Sequence, residues 1–169
     1  FCGLLTQEGY DVIVSDTLDS FASREDLIKL DLIVPEWTMG EIKPEYVENV
    51  CAAVESGVGL AGCHGGMCDA FRNSTRWQFL TGSQWVEHPG NDGVRYTVNI
   101  RSNSSSPIIK GIGDFEVISE QYYIHVDPCV NVLATTRFPV VDGPHAANGA
   151  VDVPVVYTKL WGKGRGFYS

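Results

Sequence analysis

The sequence predicts an α/β fold: a three-layer sandwich around a doubly wound, mostly parallel sheet, with antiparallel strands in its second half. Three observations carry that reading. Apolar runs of strand length alternate with stretches of helical period through the first half of the chain. Those runs are continuous rather than alternating, as strands buried on both faces require. After Val94 the pattern changes to apolar/polar alternation and tight turns, the mark of antiparallel strands.

Phe1–Leu5 (FCGLL) reads as the last turns of a helix ended by Gly9. Tyr10–Ser15 (YDVIVS) is a β-branched run and the first predicted strand, and Asp16–Ser23 is a polar connection. Arg24–Leu30 is a short helix that leads into Asp31–Pro35 (DLIVP), the second strand. Pro44 sits at the start of a helix, where its missing N–H costs nothing. From there Tyr46, Val47, Val50, Cys51 and Val54 recur at helical spacing, a buried stripe ended by Gly57. Val58–Cys63 is the third strand, followed at once by Gly65-Gly66 and a helical Met67–Phe71. Strand and helix in strict alternation call for a parallel sheet with helices on both faces.

In the second half, Val94–Arg101 (VRYTVNIR) alternates as a half-exposed antiparallel strand. Phe115–Ile118, Val130–Thr135 and Val153–Trp161 follow, and Gly162-Lys163-Gly164 turns the last of these into Arg165–Ser169. The polar loops Asn103–Ser106 and Asp142–Asp152 are too short for linkers, so residues 1–169 read as a single domain. The helix at Phe1 has no strand before it and Arg165–Ser169 ends without a cap. The expectation is therefore a domain truncated at both ends, its first strand and its closing turn lying outside this segment.

Composition narrows the function. The 169 residues include 12 Lys+Arg and 21 Asp+Glu, a net charge of −9, with 44% hydrophobic residues. No basic stripe exists to displace counterions from a phosphate backbone, which excludes nucleic acid. No apolar run approaches the ~18 residues of a membrane span. The 5 cysteines form an odd count that fits a reducing compartment, the cytoplasm, better than a disulfide framework.

The chemistry concentrates at Gly59-Leu60-Ala61-Gly62-Cys63-His64-Gly65-Gly66. A strand runs straight into a helix through a glycine-packed turn, which holds the turn's central residue at the carboxyl edge of the sheet. The glycine spacing is that of a nucleophile elbow, with His64 in the nucleophile's place; Cys63, one residue earlier, points elsewhere by strand alternation. A glutamine amidotransferase needs a thiolate at this position, so that activity is not expected. His64 fits a general base or a metal ligand, or else simply fills the turn.

Other groups stand as candidates beside it. Pro89 forces an extended backbone on His88, placing that imidazole in a loop after a strand, as a substrate or metal contact or as a plain surface histidine. Glu120 precedes Gln121-Tyr122-Tyr123. A carboxylate beside aromatics suits acid–base work, and the rings suit stacking on a sugar; a solvated edge-strand glutamate is the plain alternative. His125 and Asp127 are placed to orient the same site, and His145 lies in a long loop. Trp37, with Glu36 and Thr38, ends the second strand at the same edge as His64, where it lines a pocket or packs the sheet edge. Cys51 belongs to the core stripe, while Cys63 and Cys68 are small buried thiols or metal helpers. His64, His88 and Glu120 form a donor set for a divalent metal such as zinc, although no H-E-x-x-H or C-x-x-C spacing demands one. No nucleotide or flavin is expected.

The stretch Gly59–Gly66 resembles the signature of the ThuA-like (trehalose utilisation) family, within the class I glutamine amidotransferase-like, flavodoxin-like fold. The resemblance continues through Trp77-Gln78-Phe79-Leu80-Thr81-Gly82, Val86-Glu87-His88-Pro89, Ser106-Pro107-Ile108, Ser119-Glu120-Gln121-Tyr122 and Gly162-Lys163-Gly164-Arg165. It covers nearly the whole chain in the family's order. The family's His-Pro matches at His88, and its acidic-Glu-x-Tyr pattern matches at Glu120 and Tyr122, with Ser119 standing where the first acidic residue is expected. Family members begin with a strand before Phe1 and continue after Ser169 into a Leu-Gly-His turn and a final helix. The resemblance implies bacterial carbohydrate catabolism. The implied substrate class is trehalose, related disaccharides or their keto derivatives, handled by a protein that is compatible with homo-oligomer formation. On that reading His64 and Glu120 are catalytic, and His88, Tyr122, Trp37 and His125 bind substrate. A sugar-binding or regulatory domain without turnover is the rival, and a cysteine hydrolase using Cys63 is the third reading.

Overall fold

A computed structural model describes all of residues 1–169. In chain order its elements begin with helix α1 (Cys2–Gln7), helix α2 (Arg24–Leu27), strand β1 (Leu32–Ile33) and helix α3 (Pro44–Ser56). Strand β2 (Gly59–Gly62) leads into helix α4 (Gly65–Cys68), then helix α5 (Thr75–Thr81), strand β3 (Ser83–Glu87) and strand β4 (Val94–Ile100). Strands β5 (Phe115–Ser119), β6 (Tyr123–Val126), β7 (Asn131–Phe138), β8 (Val151–Trp161) and β9 (Gly164–Tyr168) complete the chain.

The main sheet has the order β1-β2-β9-β8-β7-β4-β5. Parallel pairing is confined to β1–β2 and β2–β9. From β9 through β8, β7 and β4 to β5 every pairing is antiparallel, as the alternation after Val94 predicts. The β8–β9 hairpin turns through Gly162 at φ 58, the left-handed region that glycine enters without strain. A separate two-stranded sheet pairs β3 with β6. The fold is mixed α/β, consistent with the flavodoxin-like architecture expected.

The core forms where the helical stripe meets the sheet. Pro44 opens α3 and Gly57 closes it, and Tyr46, Val47, Val50, Cys51 and Val54 are all buried. Val47, Val50, Cys51 and Val54 pack with Leu60, Met67, Phe71, Trp77 and Tyr157 in one cluster. Each such aliphatic side chain contributes on the order of 2 kcal/mol by leaving water. Ser23 caps α2 by accepting the Asp26 N–H at 3.2 Å. The helix after Gly65-Gly66 starts at Gly65 itself, two residues before the expected Met67.

One expected strand is absent. Tyr10–Ser15 is irregular, and Ile13 and Val14 are 79% and 72% exposed. A strand exists only through its ladder, and the sheet stops at β1 with no neighbour for this run. β1 itself shrinks from the expected Asp31–Pro35 to two residues, because only Leu32 and Ile33 find partners in β2.

Candidate functional site

The site grows out of the β2–α4 turn. His64 is the N-cap of α4 with φ 49 and ψ −138, a conformation that L-residues seldom adopt. Its own N–H donates to the Ser169 carbonyl at 2.8 Å, which ties the turn to the end of β9. The flanking glycines are required sterically. A Cβ on Gly62 would lie 2.6 Å from the Met67 Cβ, and one on Gly65 would lie 3.1 Å from Thr38 Oγ1 and 3.2 Å from the Tyr122 hydroxyl. So the turn is sharp, and it lifts the His64 imidazole to the carboxyl edge of the parallel strands.

Glu120 reaches the same edge from the β5–β6 connection. The neighbouring Gln121 side chain is buried and donates to Thr136 Oγ1 at 2.7 Å and to the Arg137 carbonyl at 3.0 Å. Tyr96 donates its hydroxyl to the Glu120 carbonyl at 3.2 Å. Pinned on both sides, Glu120 presents Oε2 3.4 Å from His64 Nε2 and Oε1 3.9 Å from His88 Nε2. Tyr122 stacks on His64 with centroids 3.9 Å apart, and lies 5.7 Å from the near-parallel His88 ring. Four of the predicted residues therefore meet: His64, His88, Glu120 and Tyr122.

His88 arrives from β3, where the register with β6 shifts between Trp85 and Glu87. Such a bulge re-aims the side chains after it. Trp85 Nε1 donates to His88 Nδ1 at 3.1 Å. An indole nitrogen is a donor only, so Nδ1 is the acceptor and the neutral ring carries its proton on Nε2, facing Glu120.

The remaining expected residues lie elsewhere. Trp37 folds back over Gly40, where a Cβ would lie 2.7 Å from its Nε1, and packs against the core. Its backbone N–H donates to the Gly66 carbonyl at 3.2 Å, and the side chains that reach the turn from this segment are those of Glu36 and Thr38. His125 is exposed on β6 opposite Gln84 and joins none of the cluster's contacts. Asp127 pairs with Lys159 at 2.8 Å instead. His145 borders a separate cavity of about 80 Å³ with Tyr123 and Phe138. Cys68 is buried against the Tyr168 hydroxyl at 3.0 Å. Sequence reasoning missed Trp85, Arg72 and Asp69, which no motif marks.

Electrostatics separates the roles. Partial burial holds the His64 pKa below its ordinary 6.5, outweighing the opposing pull of Glu120. His64 is thus neutral at neutral pH. Burial, reinforced by Glu36 at 3.7 Å, pushes the Cys63 thiol up, which keeps it protonated and a poor nucleophile. Burial likewise raises Tyr122, with Glu120 adding to the effect. All 5 cysteines are free thiols.

For a divalent metal the residue types suit, although no three of them stand in metal-holding geometry in this structure. Nε2 of His88 bears the proton where a ligand needs a lone pair, unless the Trp85 hydrogen bond is broken. No helix is long and apolar enough to cross a membrane.

Comparison with known proteins places the chain. A cytoplasmic protein of Salmonella typhimurium LT2 superposes with a TM-score of 0.70 at 14% identity, over 99% of this chain and 72% of that one. A ThuA-like protein from Bacteroides uniformis gives 0.70 at 17% identity, over 99% of this chain and 69% of its own. A β-galactosidase from Bacillus circulans sp. alkalophilus gives 0.58 at 18% identity over 85% of this chain, which spans only 20% of the enzyme's length. Identities this low speak to the fold alone. No curated protein matches. The ThuA family profile, described as trehalose utilisation, matches residues 1–169. With that match running along the whole segment, this chain belongs to the ThuA family.

Proposed function

We propose that this chain carries the catalytic centre of a bacterial, cytoplasmic carbohydrate-processing enzyme that moves protons on trehalose, a related disaccharide or a keto derivative of one. The observation that carries the reading is the His64–Glu120 pair, 3.4 Å apart at the elbow position with Tyr122 stacked on the imidazole. His64 takes the substrate proton, and the Glu120 carboxylate beside it stabilises the imidazolium that forms. His88 stands on the other side of the carboxylate, and Tyr122 offers its hydroxyl and ring to the sugar. The substrate class comes from the family's description.

The test is turnover of trehalose and keto-disaccharides by the full-length protein and two variants. His64→Ala loses about 100-fold or more in kcat, the range of a lost general base, while Cys63→Ala retains activity. The opposite pattern, with Cys63→Ala inactive and His64→Ala intact, overturns the assignment in favour of a cysteine hydrolase.

A sugar-binding module without turnover draws its support from the same fold recurring as a fifth of a β-galactosidase chain. It would show sugar-induced stabilisation and no product. A zinc ion on His64, His88 and Glu120 requires the His88 ring to leave Trp85. Stoichiometric metal in the purified protein establishes that version, and its absence retires it.

A further inference from the structure

Behind His88 lies a chain of contacts that the acid–base pair does not use. Asp69 closes α4, the one-turn helix whose other end is His64, and its side chain is buried. It holds Arg72 through two contacts, Nε to Oδ1 at 2.5 Å and Nη2 to Oδ2 at 3.0 Å. This bidentate fork fixes the plane of the guanidinium. Arg72 lies over the Trp85 ring, 4.1 Å from its centroid, and Trp85 in turn donates to His88 Nδ1. The two sides of the site thus hang on one short helix, His64 directly and His88 through Asp69, Arg72 and Trp85.

We infer that Trp85 is a positioning residue whose indole N–H fixes the His88 tautomer, with Asp69 and Arg72 holding the indole in place, so that neutral His88 is a hydrogen-bond donor to a substrate oxygen in the site. The reasoning is one of donor bookkeeping. Indole nitrogen cannot accept, so the imidazole nitrogen facing it holds the lone pair and the other nitrogen holds the proton. Nε2–H then points to the Glu120 carboxylate at 3.9 Å, a separation that leaves room for a substrate oxygen to come between them. The opposite tautomer would leave His88 a second base beside His64 and no imidazole donor. The guanidinium stacked on the indole is also electron-withdrawing, which strengthens the N–H as a donor. The donor role rests on the acid–base reading proposed above; the tautomer stands without it.

Nitrogen NMR of the full-length protein, at a pH where His88 is neutral, tests the two parts separately. The expected result is a single tautomer with Nδ1 unprotonated and a scalar coupling between Trp85 Nε1 and His88 Nδ1 across the hydrogen bond. A ring protonated on Nδ1, or one that averages freely between tautomers, overturns the inference whatever the activity does. Trp85→Phe keeps a ring under Arg72 and removes the N–H. It loses the coupling and returns His88 to mixed tautomers, and it lowers kcat by up to about 100-fold with KM little changed, the scale of a misplaced catalytic group. A Trp85→Phe enzyme with wild-type kcat removes the donor role even if the tautomer is confirmed. A Trp85→Phe protein that fails to fold leaves the wild-type spectrum as the deciding measurement. Absence of all turnover in the wild type refutes the acid–base reading and leaves the tautomer assignment intact.

Discussion

At the residue scale, His64 combines two roles in tension. Its φ of 49 puts a residue with a Cβ where glycine is at ease, a strain of about 1–3 kcal/mol held in place by the surrounding turn. His64→Gly should therefore be more stable than His64→Ala by about 1 kcal/mol, read as midpoint of urea unfolding, while both lose kcat to a similar extent. The lowered His64 pKa also fixes the acid limb of activity. A base must be neutral, so activity is full above 6.5 and falls as pH drops through the lower value of the folded protein. An acid limb lying above 6.5 in the pH dependence of kcat/KM would contradict the burial argument. His64, His88, Glu120 and Tyr122 were legible because glycine spacing, His-Pro and a carboxylate beside aromatics each leave a local mark. Trp85, Arg72 and Asp69 left none, because their link to His88 runs through contacts made only after folding.

At the scale of elements, the β2–α4 turn depends on close approach rather than on helix propensity. Gly62→Ala brings its Cβ against Met67 and should cost about 1–3 kcal/mol, measured as a fall in Tm. An unchanged Tm would show that the turn has slack. α3 was legible to the residue, since Pro44, the apolar stripe and Gly57 all point the same way. α5 carried equally local signals, Ser74 accepting the Trp77 N–H and Gly82 at φ 87, but its two turns hold too few apolar repeats to stand out. Tyr10–Ser15 shows the converse. Its β-branched pattern is strong, yet pattern cannot supply a pairing partner. Trp37 and His125 stand outside the cluster for a related reason: sequence places a residue at a sheet edge or in a strand, but the direction of the side chain follows from register and packing.

At the scale of the molecule, the site is assembled from three segments, the β2–α4 turn, the end of β3 and the β5–β6 connection, which the main sheet and the β3–β6 sheet bring together. The buried Lys159–Asp127 pair joins β8 to the loop after β6, with Lys159 also donating to the Phe79 carbonyl. Asp127→Ala leaves that ammonium without its carboxylate at a cost of about 3 kcal/mol, visible in thermal unfolding. The Asp127 pKa is lowered chiefly by the Lys159 hydrogen bond. Its contribution is therefore complete above 3.8 and lost as pH falls through the folded value. The parallel-to-antiparallel change was readable from hydropathy, whereas the sheet's strand order and the small β3–β6 sheet that carries Trp85 to His88 were not. The central claim, that His64 and Glu120 act as one unit, is tested most directly by a double-mutant cycle on kcat in the full-length protein. His64→Ala, Glu120→Ala and the double variant should all lose activity to about the same extent, as groups acting together do. Losses that simply multiply, or a His64→Ala enzyme as active as the wild type, would contradict it.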